Sequence, residues 1–340
     1  MAITLKEIAK QANVSAATVS MALNNKQGVG AKKRQSILKI ARELGYGQRA
    51  AQSRLRTIKG TMRFVKVIKS SHVLNRDHDI FIADYINGLD HAARGTGYNL
   101  EISSCHLHAA AELLDTLRHS ELKGAVVLGT ELDHGDLQVF EHSSFPIVVL
   151  DTYYDYLELD FVDMNNIDAV YSIISHFQQK GHREIGMVRS SVATKNFQLR
   201  EEGFHAALAH FGLSCRREHL FSVDSTCQGA YEDMSRILAA GAALPRALFL
   251  SNDIVAFGCV RAFKEAGLRV PQDVSVIGFD DLPAGSVMEP PLTSYAVSKI
   301  KMGEMAFRIL VERIEQEPQM PPMKISISGK LVSRESVSQL

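Results

Sequence analysis

Residues 4–25 read TLKEIAKQANVSAATVSMALNN, and the remainder of the chain is best understood outward from them. Thr4-Leu5-Lys6-Glu7 has the spacing of a capping box, with Thr4 as N-cap and Glu7 three residues on, so a helix is predicted to begin at Leu5. Leu5, Ile8, Ala9 and Ala12 then share one face. Asn13-Val14 breaks the pattern, and Ser15 is placed to cap a second short helix through Thr18, Val19, Met21, Ala22 and Leu23, stopped by Asn24-Asn25. Two short helices across a tight turn, with small residues where they cross, predict a helix-turn-helix. A third helix over 31–44 would turn Ile37, Ile40, Ala41 and Leu44 inward and end at Gly45, completing a minimal three-helix bundle.

Charge sets this segment apart. The first sixty residues hold twelve Lys or Arg against two acidic residues, Glu7 and Glu43, although 38 basic and 38 acidic residues balance over the 340-residue chain. A cationic head on an acidic body is the pattern of a nucleic-acid-binding module joined to a domain with another task. The individual cations Lys26, Lys32, Lys33 and Arg34 cluster at the entry to the third helix, where phosphate contacts would help.

Several classes are disfavoured. The longest apolar runs, such as 125–128 and 147–150, fall far short of the roughly 20 residues that span a bilayer, so no membrane segment is expected. The start, Met1-Ala2-Ile3-Thr4-Leu5-Lys6-Glu7, lacks the features of an export signal, which predicts a cytoplasmic protein. Cys105, Cys215, Cys227 and Cys259 are scattered and read as free thiols, while Cys105-His106-Leu107-His108 has no second cluster at ligand spacing and reads as a loop, not a metal site. No dinucleotide fingerprint, Walker loop or nucleophile elbow occurs, so neither an enzyme nor a cofactor is expected.

From Thr61 onward, short apolar runs alternate with amphipathic stretches. Strands are expected at 62–68, 98–103, 124–129 and 146–150, interleaved with helices at 81–95, 109–119 and 135–141. The alternation restarts after Asn165, with strands at 184–189, 220–223, 246–251 and 274–278 and helices at 167–180, 197–211, 229–240 and 253–266. Two successive series predict two α/β subdomains, with ligands expected between them beyond the carboxyl ends of the strands.

Ile8-Ala9, Val14-Ser15, Thr18-Val19-Ser20 and Leu23-Asn24, followed by Ala41-Arg42-Glu43-Leu44-Gly45-Tyr46, resemble the DNA-binding head of the LacI/GalR family of bacterial transcriptional regulators. The likeness continues through Gly181-His182-Arg183-Glu184-Ile185-Gly186, Arg200-Glu201-Glu202-Gly203-Phe204, Asn252-Asp253, Val270-Pro271, and Ile277-Gly278-Phe279-Asp280-Asp281 with Pro290-Pro291-Leu292-Thr293. It implies an N-terminal all-α helix-turn-helix head plus a two-lobed α/β, periplasmic-binding-protein-like effector domain. The expected boundaries are 1–46 for the head, 47–60 for a hinge linker and 61–340 for effector binding and dimerisation. Lobe 1 would take about 61–161 and 293–318, and lobe 2 about 162–292 and 319–340.

The resemblance also implies partners and site residues. The second helix would enter the major groove of a roughly palindromic double-stranded operator, with Ser15, Ala16, Ala17, Ser20 and Met21 near base edges or phosphates and Thr18 and Ser20 on the DNA backbone. Thr4, Leu5, Asn24 and Lys33 complete the expected DNA-binding set, and Leu55, between Arg54 and Arg56, is the expected minor-groove wedge. Gln48-Arg49 and Gln52-Ser53 stand where the family usually has Pro-Asn and Ala-Arg. For the effector, the matching positions are Asp79, Phe81, Asp151, Arg200, Asn252 and Asp280. Facing acidic, amide and guanidinium groups suit the hydroxyls of a sugar, and Arg200 could equally pair a carboxylate or phosphate. Asn252 and Asp280 could instead cap the segments that follow them. The expected regulator is a homodimeric repressor, since the C-terminal segment lacks leucine heptads for further assembly. The alternative is the solute-binding protein of a sugar transporter, which shares the two-lobed body and leaves the basic head without a use.

Overall fold

The computed structural model describes residues 5–23, 29–44, 58–70, 73–107, 109–316 and 320–340. The chain divides into two units, Met1–Lys59 and Gly60–Leu340. Thr4, Asn24, Gly45 and Leu55, the hinge positions 47–57 and His108 lie outside the described residues.

The first unit contains α1 (Leu5–Ala12), α2 (Ala16–Leu23) and α3 (Ala31–Glu43). Its core is Ile8, Ala9, Val19, Ala22, Ile37 and Ala41, all buried. The turn between α1 and α2 follows from one residue: Asn13 takes φ 50°, and Val14 N–H then reaches back to Ala9 O at 3.0 Å. That six-to-one bond with a left-handed Asn is a Schellman stop, which Asn tolerates better than a branched residue would. Ser15 restarts the chain as N-cap, its Oγ accepting from Thr18 N–H at 3.1 Å.

The second unit alternates strands and helices. The first half runs β1 (Gly60–Ile68), α4 (Asp79–Ala93), β2 (Tyr98–His106), α5 (Ala110–Arg118), β3 (Leu122–Leu128), α6 (His134–Gln138), β4 (Ile147–Leu150) and β5 (Asp160–Met164). It continues with α7 (Asn166–Gln179), β6 (Ile185–Ser190), α8 (Lys195–Phe211), β7 (Leu220–Val223), α9 (Cys227–Ala239), β8 (Ala247–Leu250), α10 (Asp253–Glu265), β9 (Ser275–Phe279), α11 (Pro283–Ser286), β10 (Thr293–Ala296), α12 (Lys299–Glu315), β11 (Lys324–Ile327) and β12 (Lys330–Val332). Two six-stranded sheets result, in the orders β11-β5-β4-β3-β1-β2 and β12-β10-β9-β8-β6-β7. Every pairing is parallel except β10 with β12. Strands such as Ile147–Leu150 and Ala247–Leu250 are buried throughout, as expected when helices cover both faces of a parallel sheet.

The expected lobe boundaries shift in three places. β5 stays in the first sheet through Met164, beyond the anticipated break at 161. β10 continues the second sheet beside β9, although residues from 293 were assigned to lobe 1. β11 returns to the first sheet beside β5, although residues from 319 were assigned to lobe 2. The physical reason is common to all three: the chain crosses only after a strand has completed its ladder, so the crossings fall between β5 and α7, between β10 and α12, and between β11 and β12. α12 then packs along α4 at a very close crossing. A Cβ on Gly88 would run into the Ile300 carbonyl, and one on Gly303 into the Tyr85 carbonyl, so only glycine permits this approach. No helix among the described residues is long and apolar enough to cross a membrane.

Candidate functional site

β4 and β9 end at the mouth between the two sheets, each in a carboxylate on left-handed backbone: Asp151 at φ 68° and Asp280 at φ 106°. Non-glycine residues pay for such angles, and the effect is to turn each side chain off its strand and into the gap. α8, capped by Thr194, brings Arg200 inward from its second turn. The guanidinium lies 3.7 Å from the Phe279 ring centroid. It donates to Asn166 Oδ1 at 3.0 Å and to Ser251 O at 2.7 Å, and stands 3.8 Å from Asp280 Oδ1. Asn252 caps α10 by accepting from Val255 N–H at 2.9 Å, while its amide nitrogen faces His78 Nε2 from the other lobe at 3.3 Å. Phe81 completes one wall, packed edge-on against Tyr85, whose hydroxyl donates to Asp151 at 2.8 Å.

These groups enclose a cavity of about 30 Å³, space for roughly one water, so the lobes are closed upon each other. Latch contacts cross the gap: His78 meets Asn252, and Asp77 Oδ2 accepts from Cys227 N–H at 3.1 Å. Burial dominates the electrostatics. It pushes Asp151 up to about 6, against the opposing pull of hydrogen bonds from Thr130 and Tyr85 and the charge of Arg200. It pushes Asp280 up to about 6 as well, against Arg200 and Lys299. His78 is driven down to about 4 by burial and stays neutral. Asp280 Oδ1 is buried and makes no hydrogen bond among the described residues. A ligand hydroxyl or amine would answer that acceptor.

On the head, Ala17 and Lys33 are exposed, and Thr18, Ser20 and Met21 are half-exposed on α2. Ser15 Oγ and Thr18 Oγ1 share a hydrogen bond of 2.8 Å. Ala16, of the same intermediate exposure as Thr18, Ser20 and Met21, packs in part against the bundle core.

Residues 4–48 match the family described as bacterial regulatory proteins, lacI family, and residues 174–337 match the periplasmic binding protein-like domain. The chain therefore joins a lacI-family head to a periplasmic-binding-protein-like body. Among its curated relatives is the HTH-type transcriptional repressor PurR of Pasteurella multocida, 29% identical over 98% of each chain. Among solved structures, the complex of transcriptional regulator CelR with cellobiose matches with TM-score 0.72 at 23% identity, covering 98% of this chain and 99% of that one. The lac repressor dimer bound to operator and the anti-inducer ONPF matches with TM-score 0.70 at 22% identity, covering 99% and 100%. These two likenesses speak to the fold.

Of the effector positions carried over from the LacI family, Phe81, Asp151, Arg200, Asn252 and Asp280 line the one cavity. Asp79 does not. As the first residue of α4 it points outward and pairs with Lys66 Nζ at 2.8 Å, while His78, one residue earlier, takes the inward place. Arg200 leaves its neighbour Glu201 to Arg189, 2.6 Å away. Tyr153 and Tyr154 stay off the cavity, bonded to Asp155 and to the Leu132 carbonyl. Four residues that shape the site were not anticipated. His78 and Thr130 sit on no recognisable motif. Asn196 bridges Asp151 and Asn166, at 3.0 Å from the Asp151 carbonyl and 2.9 Å from the Asn166 amide; its position just inside a Thr-capped helix start was the available signal. Glu131 accepts four backbone N–H groups, from Lys69, Ser70, Val73 and Leu74, and so pins the segment that carries Val73 and Leu74 into the cavity.

Proposed function

We propose that this chain is a transcriptional repressor that reads DNA with α2 and whose DNA affinity is set by a sugar held between the two lobes. One observation carries the reading: two strand-end carboxylates, a guanidinium and an amide converge on one cavity, with Phe81 and Phe197 beside them. Carboxylates accept from hydroxyls, while the amide of Asn252 and the guanidinium of Arg200 donate to them, so a polyol can satisfy both sets together. The Oδ1 of Asp280, which no hydrogen bond meets among the described residues, offers such a ligand an acceptor, and because the closed cavity holds only about 30 Å³ a sugar would prefer lobes parted further than these. A ligand shifts the lobe equilibrium only through that preference, and the shift is passed on as a change in DNA affinity.

The relatives add support of two kinds. CelR is named with cellobiose, which favours a carbohydrate, and the lac repressor structure is a dimer on operator, which favours a homodimer with one head per half-site. The name PurR on the curated relatives makes purine bases the natural counter-series. The test is a calorimetric and thermal-shift screen of mono- and disaccharides against purine bases on the full chain and on Asp280→Asn. A sugar at a hundred times its Kd should stabilise the parent by about 2.7 kcal/mol and bind the variant at least tenfold more weakly. Stabilisation by purines with none from any sugar would overturn the carbohydrate reading. For DNA, selection from random duplexes should return two-fold-symmetric sites whose affinity changes when the sugar is added.

A further inference from the structure

A second hollow, of about 170 Å³, opens between the end of β5, the start of α7, the Leu199 turn of α8 and β11. It shares Met164 with the effector cleft and is several times roomier. Met164, Ile167, Leu199 and Ile325 give it an apolar lining, broken by Asp163. The Asp163 carboxyl is buried, at 3% exposure, and its Oδ1 makes no hydrogen bond among the described residues. Its Oδ2 receives a long bond of 3.5 Å from Asn166, and the Met164 N–H and the Asn196 side chain also lean on the carboxyl and favour its ionised form. Lys324, at the rim, is turned to the Tyr154 carbonyl at 3.1 Å and to the ring of Tyr153. The charged groups that Asp163 feels are Asp151, which opposes its ionisation, and Arg200, which favours it.

We propose that this hollow is a second ligand site, for a small primary amine whose ammonium docks on Asp163 and whose carbon chain lies against Met164, Ile167, Leu199 and Ile325. An unsatisfied buried acceptor is costly, and an ammonium, all donor, complements a carboxylate, all acceptor. At roughly 30 Å³ per water the hollow holds about six water-sized groups, which sets the size of the ligand. Burial and Asp151 push Asp163 up to about 8, so the empty site carries a proton at neutral pH and an arriving ammonium expels it to solvent. Asn166, which closes one side of the hollow, also accepts from Arg200 Nε at 3.0 Å. An occupant therefore bears on the residue that orients the guanidinium of the effector cleft, and this coupling does not depend on the effector being a sugar.

The experiment is titration calorimetry of the full chain at pH 7 with propylamine, butylamine, pentylamine and pentan-1-ol, each in two buffers of different ionisation enthalpy. Saturable binding of an amine with proton release is expected, with the alcohol at least tenfold weaker. Asp163→Asn should weaken the amine more than tenfold, and Leu199→Phe, which fills the hollow and leaves the carboxyl, should do the same. Equal binding of alcohol and amine, retention in both variants, or no saturable binding, which would leave a hollow holding water only, each overturns the assignment. So does loss in Asp280→Asn with retention in Asp163→Asn, which would move the amine to the effector cleft.

Discussion

Replacing Arg200 by Met removes the guanidinium that faces Asp151, Asp163 and Asp280 while keeping an unbranched side chain against Phe279. Two buried acceptors lose their donor: Asn166 Oδ1, now at 3.0 Å, and Ser251 O, now at 2.7 Å. Each unmet acceptor costs about 1–3 kcal/mol. Breaking a buried ion pair costs about 3–5 kcal/mol, because the remaining charge is stranded. The two figures overlap, since they partly count the same loss, and we expect the variant to lose about 4 kcal/mol at pH 8. The loss should shrink at pH 5. Asp151 and Asp280 are raised to about 6 and Asp163 to about 8, and each would rise further without the cation that draws it down. A carboxyl raised in the folded state binds more protons there than in the unfolded chain, so its cost appears as pH climbs from about 4 through the raised value. At pH 5 these acids are largely neutral, and mainly the two unmet acceptors remain, at about 2 kcal/mol. Urea unfolding at both pH values, followed by two spectroscopic probes, measures this. Adding Asp280→Asn should return about 1–2 kcal/mol at pH 8. A loss below about 1 kcal/mol at pH 8, or an equal loss at both pH values, would refute the view that Arg200 is held there by the carboxylates.

Three further outcomes are expected. Gly303→Ala should cost about 1–3 kcal/mol in denaturant unfolding, because its methyl meets the Tyr85 backbone and neither helix can yield alone; unchanged stability would mean that α4 and α12 are not tightly crossed. Glu131→Gln should destabilise by about 1–3 kcal/mol and speed amide exchange at Leu74. Burial pushes the Glu131 carboxyl up, but its four backbone donors together outweigh that and hold it below the ordinary carboxylate range, so its stabilisation is full at neutral pH and fades in acid, and the deficit of the variant should fade with it. Lys33→Gln should weaken binding to all duplexes alike and lower the slope of log affinity against log salt by about 0.9 if Lys33 neutralises one phosphate; an unaltered slope excludes that contact.

The head was legible because its rules are local. Asn13, Ser15 and the spacing of Ile8, Val19 and Ile37 each act within a few residues of themselves. The layered body was legible in the same way, from apolar runs such as Ile147–Leu150. β5 escaped because Asp160 and Asp163 interrupt its pattern, and their burial is met only by partners far along the chain: Arg313 pairs with Asp160 at 2.7 Å. The lobe crossings escaped for a related reason, since strand membership near the C-terminus is decided by ladders to β5 and β9 and not by composition. Within the cleft, residues at strand ends and helix caps could be anticipated. His78 could not, because nothing in its neighbours shows that Asn252 waits across the gap. Asp79 was misplaced by a single residue, enough at a helix start to turn a side chain from the cavity to solvent.

The last segments stitch both sheets: α12 and β11 return to the first, while β12 and Ser336, bonded to the Val276 carbonyl at 2.7 Å, close the second. Synthesis runs in the opposite order of need. The three head helices emerge first and, among the described residues, draw their core from one another, whereas neither sheet can be finished until the final strands arrive. Until then β5 and β10 stand as open edges, the kind that recruit other chains. A chain cut short before β11 would therefore carry the core of its head intact and both sheets unfinished.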